Sequence, residues 1–558
     1  MVWEFLARLK NGARWTEQQQ TSILSAALVI TLSFFLSSLT GLLNYRLLTS
    51  RFYDPISPTQ LELDSYWVAS QPSDLVFQLL IIGALSAAFI PVFTRYQKKD
   101  KQEAFHVASS VMNVVLAAFV VVALIVIAFA PQIIHLMTGT QFTETQIQLA
   151  ASMTRVMIIA QFFFAISNFL SGMIQSYKRF IIPAFSPVAY NLGITFGILV
   201  LGEWFGIFGP VYGMVTGAFL HMVIQLPLAK QLGFRYELKF DLSHPGVQEI
   251  FRLMGPRAFS VGIDLIQPYA LTFFITSIAN ANLTLMKFAQ RLMAIPIRLF
   301  GVPIGQAALP FLSSESDMDH KDRFRSLLTQ SLHQVLFFAL PASVLLLILR
   351  IPIVRFAFGA SNFPWADTVL TGRLVAILSL SVAAQAMTHV LVRGFYAMHD
   401  TVRPFGVSIM TMILSVLGGW WVSFQTDWAL LGLAIVISLA GIIETVSLLF
   451  LMHLKLRFKA KELAMPQLKM ITAAILMGGT LYAGLKLLDV TIIDTSRTLG
   501  LFVLSTVVSL AGLGVYLFFS WVLKVEQLVI VRSLWGRMSG WSSALAKSPE
   551  AIDQQAEL

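Results

Sequence analysis

The chain has 558 residues, 56% of them hydrophobic and only 12% charged, with a formal net charge of +10 and no cysteine. That apolar content exceeds what a soluble core needs, and its arrangement in runs of 18 or more residues marks a membrane protein. Without cysteine there are no disulfides, thiolate metal sites or cysteine nucleophiles.

In chain order, the first apolar run, TSILSAALVITLSFFLSSLTGLLNY, is too long for a signal-peptide core and is expected to be an uncleaved first span. Thirteen more follow, so the expected spans are 23–49, 66–95, 105–136, 147–176, 181–202, 206–230, 255–280, 283–312, 327–357, 367–396, 403–424, 428–453, 467–488 and 498–523. Strand-like alternation is missing, which predicts an all-α polytopic protein rather than a barrel. Lys and Arg gather at 8–14, 95–101, 178–179, 230–257, 321–325, 393–403, 455–469 and 524–547, between pairs of apolar runs. This is the positive-inside pattern; it predicts a bacterial cytoplasmic membrane protein with both termini in the cytoplasm, and it explains the positive charge without nucleic acid. The segment RFYDPISPTQLELDS is the longest external loop, and the end of the chain, 526–558, reads as a cytoplasmic tail.

The spans repeat. GALSAAFIPVFTRYQKKDK (83–101) pairs with GQAALPFLSSESDMDHKDR (305–323), and SGMIQSYKRFIIPAFSP (171–187) pairs with RGFYAMHDTVRPFGVS (393–408), both at an offset of about 220 residues. Two six-helix lobes follow, 1–240 and 241–460, with two additional transmembrane helices over 461–525. Six spans per repeat make the repeats parallel, and a substrate site is expected between them.

The eighth span, MKFAQRLMAIPIRLFGVPIGQAALPFLSS, carries Lys287, Arg291 and Arg298 in an apolar context. At 100° per residue, Arg291 lies about 40° and Arg298 about 20° from Lys287, whereas Pro296, Pro303 and Pro310 fall roughly 140–180° away. An ionised Arg at mid-membrane costs about 2.5 to over 10 kcal/mol unless it meets water or a partner. The stripe therefore predicts a hydrated wall suited to phosphate oxygens, with the prolines bending the opposite side. The competing reading is a snorkelling Lys287 near the outer end and structural ion pairs for the two arginines.

The order of spans, together with GALSAAFIP (83–91), YKRFIIPAFSPVAYN (177–191), MGP (254–256), the eighth-span block and GFYAMHDTVRP (394–404), resembles the MurJ (MviN) family of the MOP exporter superfamily. The resemblance covers essentially the whole chain and implies a lipid II flippase of peptidoglycan synthesis, not an enzyme; the alternatives are an exporter of another polysaccharide-lipid or drug in the same superfamily and a non-transporting membrane scaffold. It implies a polyprenyl-linked anionic substrate within membrane lipids, and a monomer working beside envelope-synthesis proteins. Arg291 falls on an arginine that the family uses in its central cavity, and Asp64 on an acidic position at the start of the second span. Asp264 and Glu444 are the carboxylates available for a coupling cation, sodium or proton. His221 and His389 are expected to be packed histidines. Ser38, Asn44, Phe77, Gln78 and Ile82 stand where the family carries charges, so the first lobe is expected to be poor in cations. The sequence holds no G-x-x-x-x-G-K-[ST] loop and no H-E-x-x-H motif, and no cofactor is expected.

Overall fold

The computed structural model describes residues 23–53, 60–82, 89–177, 179–278, 282–315, 321–360, 362–491 and 498–529, and their regular structure is entirely helical. In chain order the helices are α1 (Ile23–Phe52), α2 (Gln60–Phe77), α3 (Ile90–Lys99), α4 (Lys101–Ala128), α5 (Ala130–Met137), α6 (Glu144–Ser176), α7 (Ile181–Phe196), α8 (Phe208–Val223) and α9 (Leu226–Gln231). They continue as α10 (Pro245–Ser277), α11 (Leu283–Pro296), α12 (Val302–Ser314), α13 (Lys321–Ile348), α14 (Arg350–Phe358), α15 (Trp365–Ala397), α16 (Val402–Gln425), α17 (Ala429–Leu456), α18 (Ala460–Thr491) and α19 (Thr498–Val522). Single π turns extend α2 over Gln78–Ile82, α7 over Gly197–Leu201 and α11 over Ile297–Gly301.

Among the described residues, 11 helices are long and apolar enough to cross a membrane. The three other expected spans fall on α1, on α2 and α3, and on α10; residues 83–88 of the second and 279–280 of the third lie outside the described set, as do some side chains of α1 and α10. Helix starts follow local chemistry. Thr143 caps α6 in a capping box with Gln146, Asp100 caps α4 by accepting from the Gln102 N–H at 2.8 Å, and His244 Nδ1 accepts from the Gly246 N–H at the start of α10.

The chain divides into two compact units. One comprises Met1–Ile295, Ile353–Leu378 and Val402–Glu444. Its tightest helix pair is α7 against α8, and the reason is glycine. A Cβ on Gly193 would stand 2.2 Å from the Gly217 Cα, and one on Gly197 2.4 Å from the Gly213 Cα. Glycines four apart on both helices thus let backbones touch, the usual route to association where lipid offers no hydrophobic drive. Beside them, His221 is buried and bonded to Ser167 at 2.6 Å, a packed histidine as expected. The segment after α9 is clipped to α4, where the Asn113 amide donates to the carbonyls of Glu237 and Lys239, both at 2.8 Å. Hydrogen bonds from Ser243 and then His106 hold the Asp241 carboxyl down at about 2.

The other unit comprises Pro296–Pro352, Ser379–Thr401 and Thr445–Leu558. Here α18 and α19 dock on α13: the Tyr516 hydroxyl donates to the Phe337 carbonyl at 2.9 Å, and His333 bonds the Leu463 carbonyl at 3.1 Å. Gly301 and Gly305 bring their segment onto α15, a Cβ on Gly301 meeting the Ala386 Cα at 2.8 Å. Lys455 pairs with Asp400 at 2.5 Å.

Candidate functional site

Within the first unit, α1, α2, α7, α8, α10 and α11 enclose a cavity of about 460 Å³. The sequence builds it by helical spacing. Tyr66, Ser70, Asp74 and Gln78 recur every four residues along α2 and its π turn and so share one polar face in an otherwise apolar segment. Lys287 and Arg291 do the same on α11, and Gly41, Tyr45 and Leu48 on α1.

Arg291 is seated rather than loose. Its guanidinium lies 5.4 Å from the centre of the Tyr45 ring, and Tyr45 stacks on Trp67 with centroids 5.1 Å apart. Gly41 leaves the space it needs, since a Cβ there would stand 2.6 Å from Arg291 Nη2. A cation held on an aromatic tier keeps its N–H fork available to an anion. Lys287 lines the same wall, and among the described residues neither cation touches a carboxylate. The one acid in the lining is Asp74; it accepts a hydrogen bond from Gln161 at 2.9 Å and attracts Lys287 from a distance.

Where charges were missing from the first lobe, the structure places a neutral network. Asn44 donates to the Asn191 carbonyl at 2.9 Å and accepts from the Thr195 hydroxyl at 2.6 Å, while the Asn191 amide reaches Ser37 at 3.1 Å. Asn44 is buried and satisfied by these bonds, which tie α1 to α7.

One end of the cavity is sealed. Asp64, just before the cavity face of α2, accepts from the Leu283 N–H at 3.2 Å, the Thr284 N–H at 2.9 Å and the Thr284 hydroxyl at 2.6 Å, capping the start of α11. At the same end Tyr53 donates to Asp367 at 2.5 Å and Asn282 donates to the Tyr53 hydroxyl at 3.1 Å. Asn362 binds the Thr49 carbonyl at 3.1 Å, and Phe288 stacks on Phe358 at 4.1 Å. Along α1, α2 and α11 alike, these groups lie beyond the cavity residues in one direction.

The expected site residues therefore separate. Lys287 and Arg291 come together in the cavity, and Asp64 stands at its sealed end. Arg298 is exposed in the π turn Ile297–Gly301 and belongs to the second unit. Glu444 is half-buried in α17, and the Asp264 side chain lies outside the described residues. Sequence reading passed over Asp74 and Gln161, although an acid in the middle of an apolar span is a sufficient signal for the first.

Membrane-length helices around a charged cavity closed at one end define a polytopic membrane transporter. The profile of the family described as lipid II flippase MurJ matches residues 59–522. The chain belongs to that family, which is one of transporters and not of enzymes. A lipid II flippase MurJ from Burkholderia cenocepacia is 26% identical over 404 residues, 70% of this chain and 77% of that protein. A probable lipid II flippase MurJ from Bdellovibrio bacteriovorus is 24% identical over 531 residues, 94% and 99% of the two chains. In fold, the chain is similar to a lipid II flippase MurJ solved in an inward closed conformation, with a TM-score of 0.73 at 21% identity over 89% of this chain and 98% of that one. It is also similar to an inward-facing multidrug resistance MATE family transporter of the MOP superfamily, with a TM-score of 0.58 at 14% identity over 77% and 98%.

Proposed function

We propose that the chain carries lipid II, a polyprenyl-pyrophosphate-linked peptidoglycan precursor, from the inner to the outer leaflet of the cytoplasmic membrane by alternating access. The observation that carries this reading is the pair Lys287 and Arg291, two cations that contact no carboxylate among the described residues, in a cavity sealed at one end. Guanidinium and ammonium groups in a site of low dielectric bind phosphate oxygens strongly. The family membership and the printed names of the relatives support lipid II as the cargo.

In this reading fourteen spans cross the membrane, in two six-helix lobes and a C-terminal pair, and both termini are cytoplasmic. The sealed end then faces outward, and the headgroup enters from the cytoplasm while its tail stays in lipid. Arg298 extends the track. The membrane potential supplies about 2.3 kcal/mol per charge per 100 mV, and sodium or a proton is the coupling ion, with Asp264 and Glu444 as its second-lobe carboxylates. The protein acts as a monomer among membrane lipids.

The test is complementation: the resident lipid II flippase of a bacterial host is depleted and this chain supplied, as wild type, Arg291→Ala or Lys287→Ala at matched membrane levels. Rescue by wild type with loss in both variants is expected. Equal rescue by the variants would refute the cavity as the path.

A further inference from the structure

Among the described residues the cavity holds one acid beside its cations, and the flippase reading leaves that acid without a task. Asp74 sits on the polar face of α2, fixed by the Gln161 amide at 2.9 Å, and lines the same cavity as Lys287 and Arg291. A carboxylate beside an anion site repels the ligand it faces. Its presence is therefore informative.

The titratable and polar groups that share the cavity with Asp74, or pack behind it, come from each neighbouring helix. From α11 come the cations Lys287 and Arg291; from α1, α2, α7 and α10 come the phenols Tyr45, Tyr66, Tyr190 and Tyr269. From α6 comes the neutral Gln161, while the Arg155 guanidinium on that helix is turned to the Ile127 carbonyl at 3.1 Å. Among the described residues, no second carboxylate lines the cavity and none forms a metal-holding cluster. Before an anion arrives, Lys287 and Arg291 are the cations that share the cavity lining with Asp74. An arriving pyrophosphate changes both conditions: it takes the ammonium and guanidinium as its own partners, and it adds negative charge beside the carboxylate. Each change favours the protonated acid.

We propose that Asp74 is a proton-binding site of this transporter, taking up one proton from solvent whenever an anionic headgroup binds to Lys287 and Arg291. The loaded cavity then holds a neutral carboxylic acid, hydrogen-bonded to Gln161, beside the anion; release of the headgroup on the far side returns the proton to water. Proton and cargo bind cooperatively, and by linkage each raises the affinity of the other by the same factor. The site lies on α2, in the first lobe, and needs no metal ion.

This inference rests on the cavity being the lipid II site, and the experiment separates the two. The full chain in nanodiscs is titrated with purified lipid II by calorimetry at one pH in two buffers of different ionisation enthalpy, and the affinity is measured between about pH 5.5 and 8, where the pyrophosphate diester of the ligand does not titrate. Wild type is expected to take up close to one proton, and its Kd to rise with pH by up to about tenfold per unit. The isosteric Asp74→Asn is expected to take up none, to show a flat profile, and to bind more tightly than wild type at pH 8. A wild type that binds with no proton uptake, or an Asp74→Asn variant that keeps the wild-type slope, would overturn the proton site and leave the flippase reading standing. Absence of lipid II binding by well-folded wild type would remove both. The wild-type proton count stands by itself should Asp74→Asn fail to fold.

Discussion

The seal at the end of the cavity gives a population that can be shifted by a known amount. Asp64 satisfies two backbone N–H groups and one hydroxyl at the start of α11. Those N–H groups belong to the first turn of a helix, which has no internal partners for them. In Asp64→Ala the sealed state keeps two donors without acceptors, at a cost of about 1–3 kcal/mol. A state opened at this end lets water reach them and avoids most of that cost. The ratio of open to sealed molecules should therefore rise roughly 5- to 150-fold. The assay exploits the absence of cysteine in the chain: a single Ser70→Cys in the cavity wall is labelled in whole cells with a membrane-impermeant maleimide. Asp64→Ala should accelerate labelling from outside by that factor, and Asp64→Asn, which keeps one acceptor oxygen, by less. Unchanged labelling in Asp64→Ala, with the protein present at normal level, would mean that the cap does not hold the seal and that the packing of Phe288 on Phe358 suffices.

Two further outcomes follow from close approaches. Gly41→Ala places a methyl group 2.6 Å from Arg291 Nη2 and displaces the guanidinium from its seat on Tyr45; the loss of a charge-assisted contact to the headgroup, about 1.5–3 kcal/mol, should weaken lipid II binding roughly 10- to 150-fold with little change in thermal stability. Gly197→Val forces apart backbones that now meet, its Cβ being 2.4 Å from the Gly213 Cα; overpacking of about 3 kcal/mol or more should lower both the membrane level and the melting temperature in detergent, whatever the ligand.

Some of this architecture was legible in the residues and some was not, for physical reasons. Apolar runs and basic clusters report burial in lipid and are insensitive to detail, so the helices fall where hydropathy puts them. The pairing of Lys287 with Arg291 was legible because both lie within α11, where each residue turns by 100°. Arg298 was read on the same stripe, but the regular helix ends at Pro296. Beyond it the Val302 N–H reaches back five residues to the Ile297 carbonyl, and Pro303 has no N–H to restore the four-residue step. The seal was not legible at all: Asp64 reaches Leu283 and Thr284 more than two hundred positions away, and no local pattern announces such a pairing.

The cavity also shows why missing charges in the first lobe do not empty it of function. Had Asn44 been replaced in isolation, a buried amide would stand unsatisfied at a cost of about 1–3 kcal/mol. Instead Asn191, Thr195 and Ser37 supply its partners and their own, so the neutral side of the cavity is a built structure. Among the described residues, the cations of the lining stand on α11, and Asp74 is the charged group that α2 contributes. An anion bound there is attracted by the α11 pair. Protonation of Asp74 then decides whether α2 repels it, which makes the charge state of a single carboxylate the natural control over loading.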